Sequence, residues 1–218
     1  MNCLAQDRGY LGVVLGAAIP LGDFSSTDQK NEHAGYAKTG PNFEVVYAQK
    51  FGKTMGITAM IRSSSNAMDM NALKMQFESS YPGVHATISE DSWKTLSFMA
   101  GGYAVFPITP KVSFDARLMG GLMSVASPEL FVNLSGPAGT AWADQESGIA
   151  STFCLLFGGG FKFNVASRVC LLANLDIVAA TANFKQVKMS TDDGNTSYSD
   201  FSQKISTVNL GIGVGYRL

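Results

Sequence analysis

Two histidines, three cysteines and one run of oxygen-bearing side chains are the groups in this chain that could do chemistry. His33 and His85 lie in separate polar stretches, with Ser25, Ser26, Asp28 and Ser89 nearby in sequence. A histidine within hydrogen-bond reach of a serine or carboxylate is the general-base arrangement of acyl transfer, but no spacing here reproduces a nucleophile motif. Two histidines without cysteine or carboxylate partners at ligand spacing make a poor zinc site. The run from Thr191 to Ser197, "TDDGNTS", lacks the alternating ligands and terminal Glu of a calcium loop and reads as a turn built on Asp193 and Gly194. The expectation is therefore no catalytic residue, no metal site and no cofactor.

A different set of polar residues recurs with order: Glu44, Lys50, Arg62, Asp115, Arg117, Lys162, Arg168, Asp176 and Arg217. Each lies in a segment where apolar and non-apolar residues alternate with period 2, the mark of a strand with two unlike faces. Eight such segments follow one another. The first sets Leu11, Val13 and Leu15 against Gly12, Val14 and Gly16; the third sets Ile57 and Ile61 against Gly56 and Arg62. In the fifth, Leu118 and Leu122 oppose Arg117 and Gly121; in the sixth, Phe153, Phe157 and Phe161 oppose Cys154, Gly158, Gly160 and Lys162. The seventh sets Leu171, Leu175 and Ile177 against Cys170, Asn174 and Asp176, and the last sets Leu210, Ile212 and Val214 against Asn209, three glycines and Arg217.

The links between segments are of two kinds. Residues 52–54, 109–111 and 165–167 are hairpin turns, while 20–41, 63–91, 125–149 and 184–204 read as long polar loops. One end of the structure should thus carry tight turns and both termini, and the other four loops. The long links hold thirteen acidic and six basic side chains; the rest of the chain holds four acidic and ten basic.

Eight up-and-down strands with these faces fit either a soluble lipocalin-like ligand-binding barrel, apolar inside, or a transmembrane barrel, apolar outside. Glycine decides between them. A water-washed surface gains nothing from it, whereas the narrow interior of an eight-stranded barrel needs small residues beside long charged ones. The chain has 23 glycines, and 15% of its residues are charged, against roughly 25% in soluble domains. Phe51, Phe106, Phe163 and Tyr216 near the short turns, with Phe43 and Phe153 near the long loops, form two aromatic girdles. The fold class expected is all-β, a closed eight-stranded antiparallel up-and-down transmembrane β-barrel. The nine charged residues above make its lumen network, and Lys94 joins them as an inward cation. Leu11, Val13, Leu15, Ile57, Leu118, Phe157, Leu175, Leu210, Ile212 and Val214 face lipid.

The opening "GYLGVVLGAAIPLGDF", the short-turn and long-loop asymmetry and the ending "GIGVGYRL" resemble small outer-membrane barrels of the OmpA/OmpX type. They look especially like barrel-only outer-membrane proteins of Bacteroidetes-like bacteria. The ending is similar to the signal read by the barrel-assembly machinery, with Leu218 in place of a terminal aromatic. The resemblance covers residues 9–218 as one domain and implies a bacterial outer-membrane location, with long loops outside and termini in the periplasm. It implies outer-membrane lipid, lipopolysaccharide and the assembly machinery as partners. Some relatives of that class modify lipid A with a rim histidine and serine, so a lipid-modifying enzyme is the alternative to a non-enzymatic structural or surface-interaction role with an extracellular partner. A net charge of −1 gives no reason to expect nucleic acid.

Residues 1–8 read as an N-terminal stub, with Cys3-Leu4-Ala5 shaped like the end of an export signal. Pairing Asn164 with Arg168 would place Cys154 and Cys170 about eight residues apart along adjacent strands, roughly 25 Å at ~3.3 Å per residue, too far for a disulfide. "MDMNALKMQF" (68–77) has the spacing of a short helix, and Met70, Leu73 and Phe77 with Trp142 form a candidate loop-binding cluster.

Overall fold

The computed structural model describes residues 9–28, 30–80, 83–89, 91–137 and 139–218. The expected N-terminal stub lies outside the described residues. The strands are β1 (Gly9–Pro20), β2 (Gly40–Phe51), β3 (Met55–Ala67), β4 (His85–Ile88), β5 (Ser92–Pro107), β6 (Val112–Ala126), β7 (Leu130–Gly136), β8 (Gly139–Gln145), β9 (Ile149–Asn164), β10 (Val169–Thr191) and β11 (Thr196–Arg217), with one helix, α1 (Met70–Ser80). Among the described residues no helix is long and apolar enough to cross a membrane.

All pairings are antiparallel, and the order β11-β1-β2-β3-β5-β6-β9-β10 returns to β11 through a further pairing, making a ring through eight strands. Its register can be followed from Gly12 through Val46, Met60, Met99, Gly121, Cys154 and Ala180 to Ile205. Gly12 pairs directly with Gly215, so one circuit is offset by ten residues along β11. With ~3.3 Å per residue and about 4.8 Å between strands, that stagger requires a strand tilt of about 40°. Such a ring has room inside for side chains only.

Alternation sets which chains go there. Val14, Val46, Met60, Met99, Met119, Leu156 and Ile205 are buried inside, while Leu15, Ile57, Phe98, Leu118, Phe157 and Ile212 on the opposite face are each more than half exposed. The outer rings touch near the short turns, where Phe106, Phe114, Phe161 and Phe163 run in series with centroid separations of 6.3, 5.3 and 6.3 Å. The β2–β3 turn is closed by Gly52 at φ 68°, a left-handed position suited to glycine.

Three strands beyond the ring correct the sequence-based count of eight. The stretch 125–149 is not an open loop: most of it is the hairpin β7–β8, and β4 adds to it from the second long link. Nor is 184–204 a loop, because β10 and β11 stay paired to Ser190 and Thr196. At 23 residues β10 reaches ~75 Å by the strand rise. Alternation is broken there by the bulge between Phe184 and Val187 and weakens beyond it, so the pattern signal fades while pairing persists. Beyond the ring β8 docks on β10 through Met189–Gln145 to Thr191–Ala143, giving an outlying sheet β11-β10-β8-β7-β4. The expected helix is α1, shifted two to three residues toward the C-terminus.

The β9–β10 turn also differs from expectation. Asn164 pairs with Cys170 instead of Arg168, and Val165 N–H donates to Val169 C=O at 3.1 Å. The two-residue slip keeps every side chain on its face, since the period is 2. Cys154 pairs with Ala180, ten residues from Cys170 along β10; both side chains are buried and no disulfide joins them.

Candidate functional site

At mid-height the ring interior is tied together by charge. Arg117 Nε and Nη2 donate to Asp176 Oδ1 and Oδ2, both at 2.8 Å, the two-pronged geometry that guanidinium and carboxylate share. Arg62 Nη2 donates to the same Asp176 Oδ2 and, at 2.9 Å, to Glu44 Oε1, which also accepts from Asn42 Nδ2 at 2.7 Å. β3 and β10 are four strands apart by either route around the ring, so the Arg62–Asp176 contact runs straight across it. Glu44, Arg62, Arg117 and Asp176 are at most 3% exposed. Two cations and two anions cancel, which makes burial of all four tolerable. Gly158 makes room for them: a Cβ there would stand 1.9 Å from Asp176 Oδ1.

The remaining predicted network residues are placed as follows. Asp115 is 6% exposed beside this cluster. Lys50, Lys162 and Arg217 are half-buried toward the short turns, where Lys162 Nζ lies 5.4 Å from the Tyr10 ring centre and Arg217 Nη1 donates to Ala166 C=O at 3.3 Å. Arg168 does not belong to the interior: it is exposed in the β9–β10 turn and donates to Tyr216 Oη at 3.1 Å. The register slip explains this, since it moves Arg168 out of the strand. Lys94 is likewise corrected; it faces outward at the rim and pairs with Asp91 at 3.3 Å. The residues predicted to face lipid, Leu11 to Val214, all lie exposed on the outer face at 44–75%.

Toward the long links the interior closes with aromatic rings that sequence reasoning missed. Phe24 meets Trp93 edge-on at 5.7 Å, Trp93 lies 6.0 Å from Phe184, and Phe184 stacks on Phe201 at 4.7 Å. Phe24, Trp93 and Phe184 are buried, and Trp93 Nε1 donates to Gly35 C=O at 2.9 Å. The signal was available: Phe184 continues the inward parity of Asp176, Val178, Ala180 and Ala182, so an apolar ring on the otherwise mixed face marks a plug. Tyr10 and Tyr103, both buried, sit at the opposite end.

Above the plug, the long links are fused into one cap. Tyr36 Oη donates to Gln76 Oε1 at 2.7 Å, and Lys38 pairs with Asp69 at 3.2 Å, joining the first link to the second. Lys204 reaches Asp23 at 3.1 Å and Gln203 Nε2 donates to His33 C=O at 3.1 Å, joining the first to the fourth. Asp91 accepts from Glu129 N–H at 3.0 Å, joining the second to the third. Lys188 and Glu146, 2.7 Å apart, join the third to the fourth. Burial pushes the Asp91 carboxyl up, but N–H groups of Glu129 and Ser92 and the Lys94 ammonium outweigh it and hold it below the usual carboxylate range. Asp69 is held low in the same way by Ala72, Lys38 and Asn71 against its burial, and Asp23 by Lys204 and Asn31.

The groups singled out for catalysis do not come together. His33 is exposed and contributes its backbone carbonyl to Gln203. The His85 side chain is 85% exposed, and its Nδ1 stands 3.8 Å from Glu78 Oε1, beyond hydrogen-bond range. Ser135 Oγ reaches His85 only at its carbonyl. Among the described residues no group of three His, Cys, Asp or Glu side chains is placed to hold a metal. The segment 191–195 forms the β10–β11 turn, with Asp193 bonded to Thr191, Asn195 N–H and the Asn195 side chain.

The candidate loop cluster divides. Met70 is buried and Leu73 half-buried on α1, while the Phe77 side chain lies outside the described residues. Trp142 is on β8 and stacks on Phe131 of β7, with centroids 6.2 Å apart.

No protein-family model matches the chain, and no curated protein matches it. Solved structures are similar. A major outer membrane protein from Thermus thermophilus aligns over 96% of this chain and 99% of its own at 10% identity, with a TM-score of 0.52. Ail, the attachment invasion locus protein of Yersinia pestis, aligns over 97% and 99% at 16% identity with a TM-score of 0.46. Neisserial surface protein A aligns over 97% of each chain at 11% identity with a TM-score of 0.43. The chain shares the fold of outer-membrane β-barrel proteins.

Proposed function

We propose that this chain is a non-enzymatic outer-membrane protein whose eight ring strands form a closed transmembrane barrel, residues 9–218 being one domain. The carrying observation is the inversion of its faces. Leucine, isoleucine and phenylalanine cover the outside, while Glu44, Arg62, Arg117 and Asp176 are sealed within. In water that arrangement would expose a continuous apolar belt and bury four charges; in hydrocarbon the apolar belt is favourable and the charges are kept from lipid and paired with one another. A lipocalin-like binder needs the reverse.

The acidic, fused cap lies outside the cell and the short turns and termini lie in the periplasm, where the assembly machinery meets the last strand. Lipopolysaccharide and outer-membrane lipid surround the wall. Cross-wall ion pairs at mid-height and an aromatic plug above them leave the lumen without a path, so the role is carried by the cap as a rigid surface for an external partner. The lipid-modifying alternative finds no support, because among the described residues neither histidine has a serine or carboxylate side chain within hydrogen-bond reach of its ring.

Heat modifiability tests the reading. Refolded protein should need detergent to stay soluble and should migrate differently on gels before and after boiling. Solubility without detergent, or identical migration, would overturn it. Swelling of loaded proteoliposomes should match protein-free vesicles; sugar-permeable vesicles would refute the plugged lumen.

A further inference from the structure

The outlying sheet has two unlike faces. Leu130, Val132, Leu134, Ala143 and Met189 share one face by register. The opposite face carries Phe131, Asn133 and Ser135 on β7, Thr140, Trp142 and Asp144 on β8, and Lys188, Ser190, Thr196 and Tyr198 on the β10–β11 hairpin. Phe131 and Trp142 are 38% and 40% exposed and Tyr198 is 67% exposed. The Phe131 and Trp142 planes are inclined by only 24°, so together they present a broad, nearly flat aromatic surface. Asn133 stands directly opposite Trp142, and Thr87 of β4 directly opposite Asn133.

Resting on the reading that this cap faces outward, we propose that the Phe131–Trp142 face is a docking platform for a neutral glycan. The chemistry selects the occupant. Aromatic faces are electron-rich, and the C–H face of a pyranose ring is flat, apolar and electron-poor. The neighbouring hydroxyls and amide can both donate and accept, as sugar hydroxyls require. Rigid aromatic anchors among Ser, Thr and Asn bind polar surfaces with little ordering cost. A lipid-inserting face would carry aliphatic side chains around the rings, and here these lie on the other face. A sulfated or phosphorylated chain needs cations. Among the described residues of this face Lys188 is the one lysine or arginine, and it bonds Glu146 at 2.7 Å beside Asp144; the one histidine, His85 opposite Ser135, lies 3.8 Å from the Glu78 carboxylate. Charge complementarity therefore excludes polyanions and fits an uncharged sugar.

The test is a fluorescence titration of the full refolded chain, in a detergent without a sugar head group, with neutral hexose and N-acetylhexosamine pentasaccharides. Trp93 is buried in the plug and Trp142 is exposed, so a saturable change should come from Trp142. Because these substitutions remove the fluorescent reporter, the variants are read by isothermal titration calorimetry under the same conditions: Trp142→Ala should weaken binding by about tenfold or more, while Trp142→Phe keeps it within about threefold. Asn133→Ala should also weaken binding, and it serves if Trp142→Ala does not fold. The proposal is overturned if no neutral pentasaccharide binds, if binding is unchanged in both Trp142→Ala and Asn133→Ala, or if sucrose octasulfate alone binds. Heat modifiability of the same samples separates the two readings: protein that shifts on boiling yet binds no sugar sinks the platform and leaves the barrel standing.

Discussion

Removing the Asp176 carboxylate should be among the most damaging single changes in the chain. Asp176 is wholly buried and accepts from Arg117 twice and from Arg62 once. Asp176→Ala strips Arg117 of both its hydrogen bonds to this carboxylate and leaves Glu44 as the one carboxylate bonded to the buried guanidiniums, with Asp115 beside them. Charge-assisted hydrogen bonds contribute about 1.5–3 kcal/mol each, but these three share two oxygens and do not add. Breaking a buried pair by deleting one partner costs ~3–5 kcal/mol, and that is the loss expected here. Arg117→Met alone should cost a similar amount by stranding Asp176. The double variant restores neutrality and replaces the guanidinium with an apolar chain of similar length, so it should be less destabilised than either single variant. Urea unfolding in detergent micelles, followed by tryptophan emission and by the fraction that still shifts on boiling, measures all three. A loss below about 1 kcal/mol for Asp176→Ala, the value typical of an exposed pair, would refute the claim that this cluster holds the wall together. Strict additivity in the double variant would refute the claim that the two residues act on each other.

Gly158→Ala should destabilise by about 1–3 kcal/mol in the same assay, because its Cβ would press on Asp176 Oδ1, whereas Gly102→Ala, whose Cβ meets nothing nearer than 3.9 Å, should be close to neutral. Leu118→Arg places a charge on the exposed apolar belt and should lower the yield folded into vesicles by ~2–4 kcal/mol if the residue sits near the bilayer midplane; unchanged folding would contradict the membrane reading. Because Asp23, Asp69 and Asp91 titrate below their ordinary value, the cap contacts are complete above about pH 4 and are lost as pH falls through the lowered values. Pepsin should then cut the segments 21–39 and 67–91 faster at about pH 2 than at about pH 4, after correction for its own activity, with the ring strands intact; equal rates would show that these carboxylates do not hold the cap.

The ring was legible in the sequence because its signal is local. A period of 2 over ten or more residues fixes a strand and its two faces. Glycine among the charges of the mixed face reveals which side is crowded, as Gly158 beside Asp176 shows. The turn lengths order the strands and set their parity. A two-residue slip at Val165–Val169 changed the partner of Asn164 and expelled Arg168 from the interior, yet left the faces untouched. What alternation could not supply is which charge meets which. Asp176 takes both Arg117 and Arg62, residues 59 and 114 positions away, and only closure with its ten-residue stagger brings β3 to face β10. The cap was illegible for a related reason. Beyond the ring the two faces are divided less sharply, with Phe131 and Trp142 among polar residues on one and Gln145 and Thr191 among apolar residues on the other, and β7, β8 and the upper part of β10 persist by pairing to one another. The order Phe131, Asn133, Ser135 was visible in the chain, but their place beside Trp142 and Tyr198 follows from contacts between links far apart in sequence.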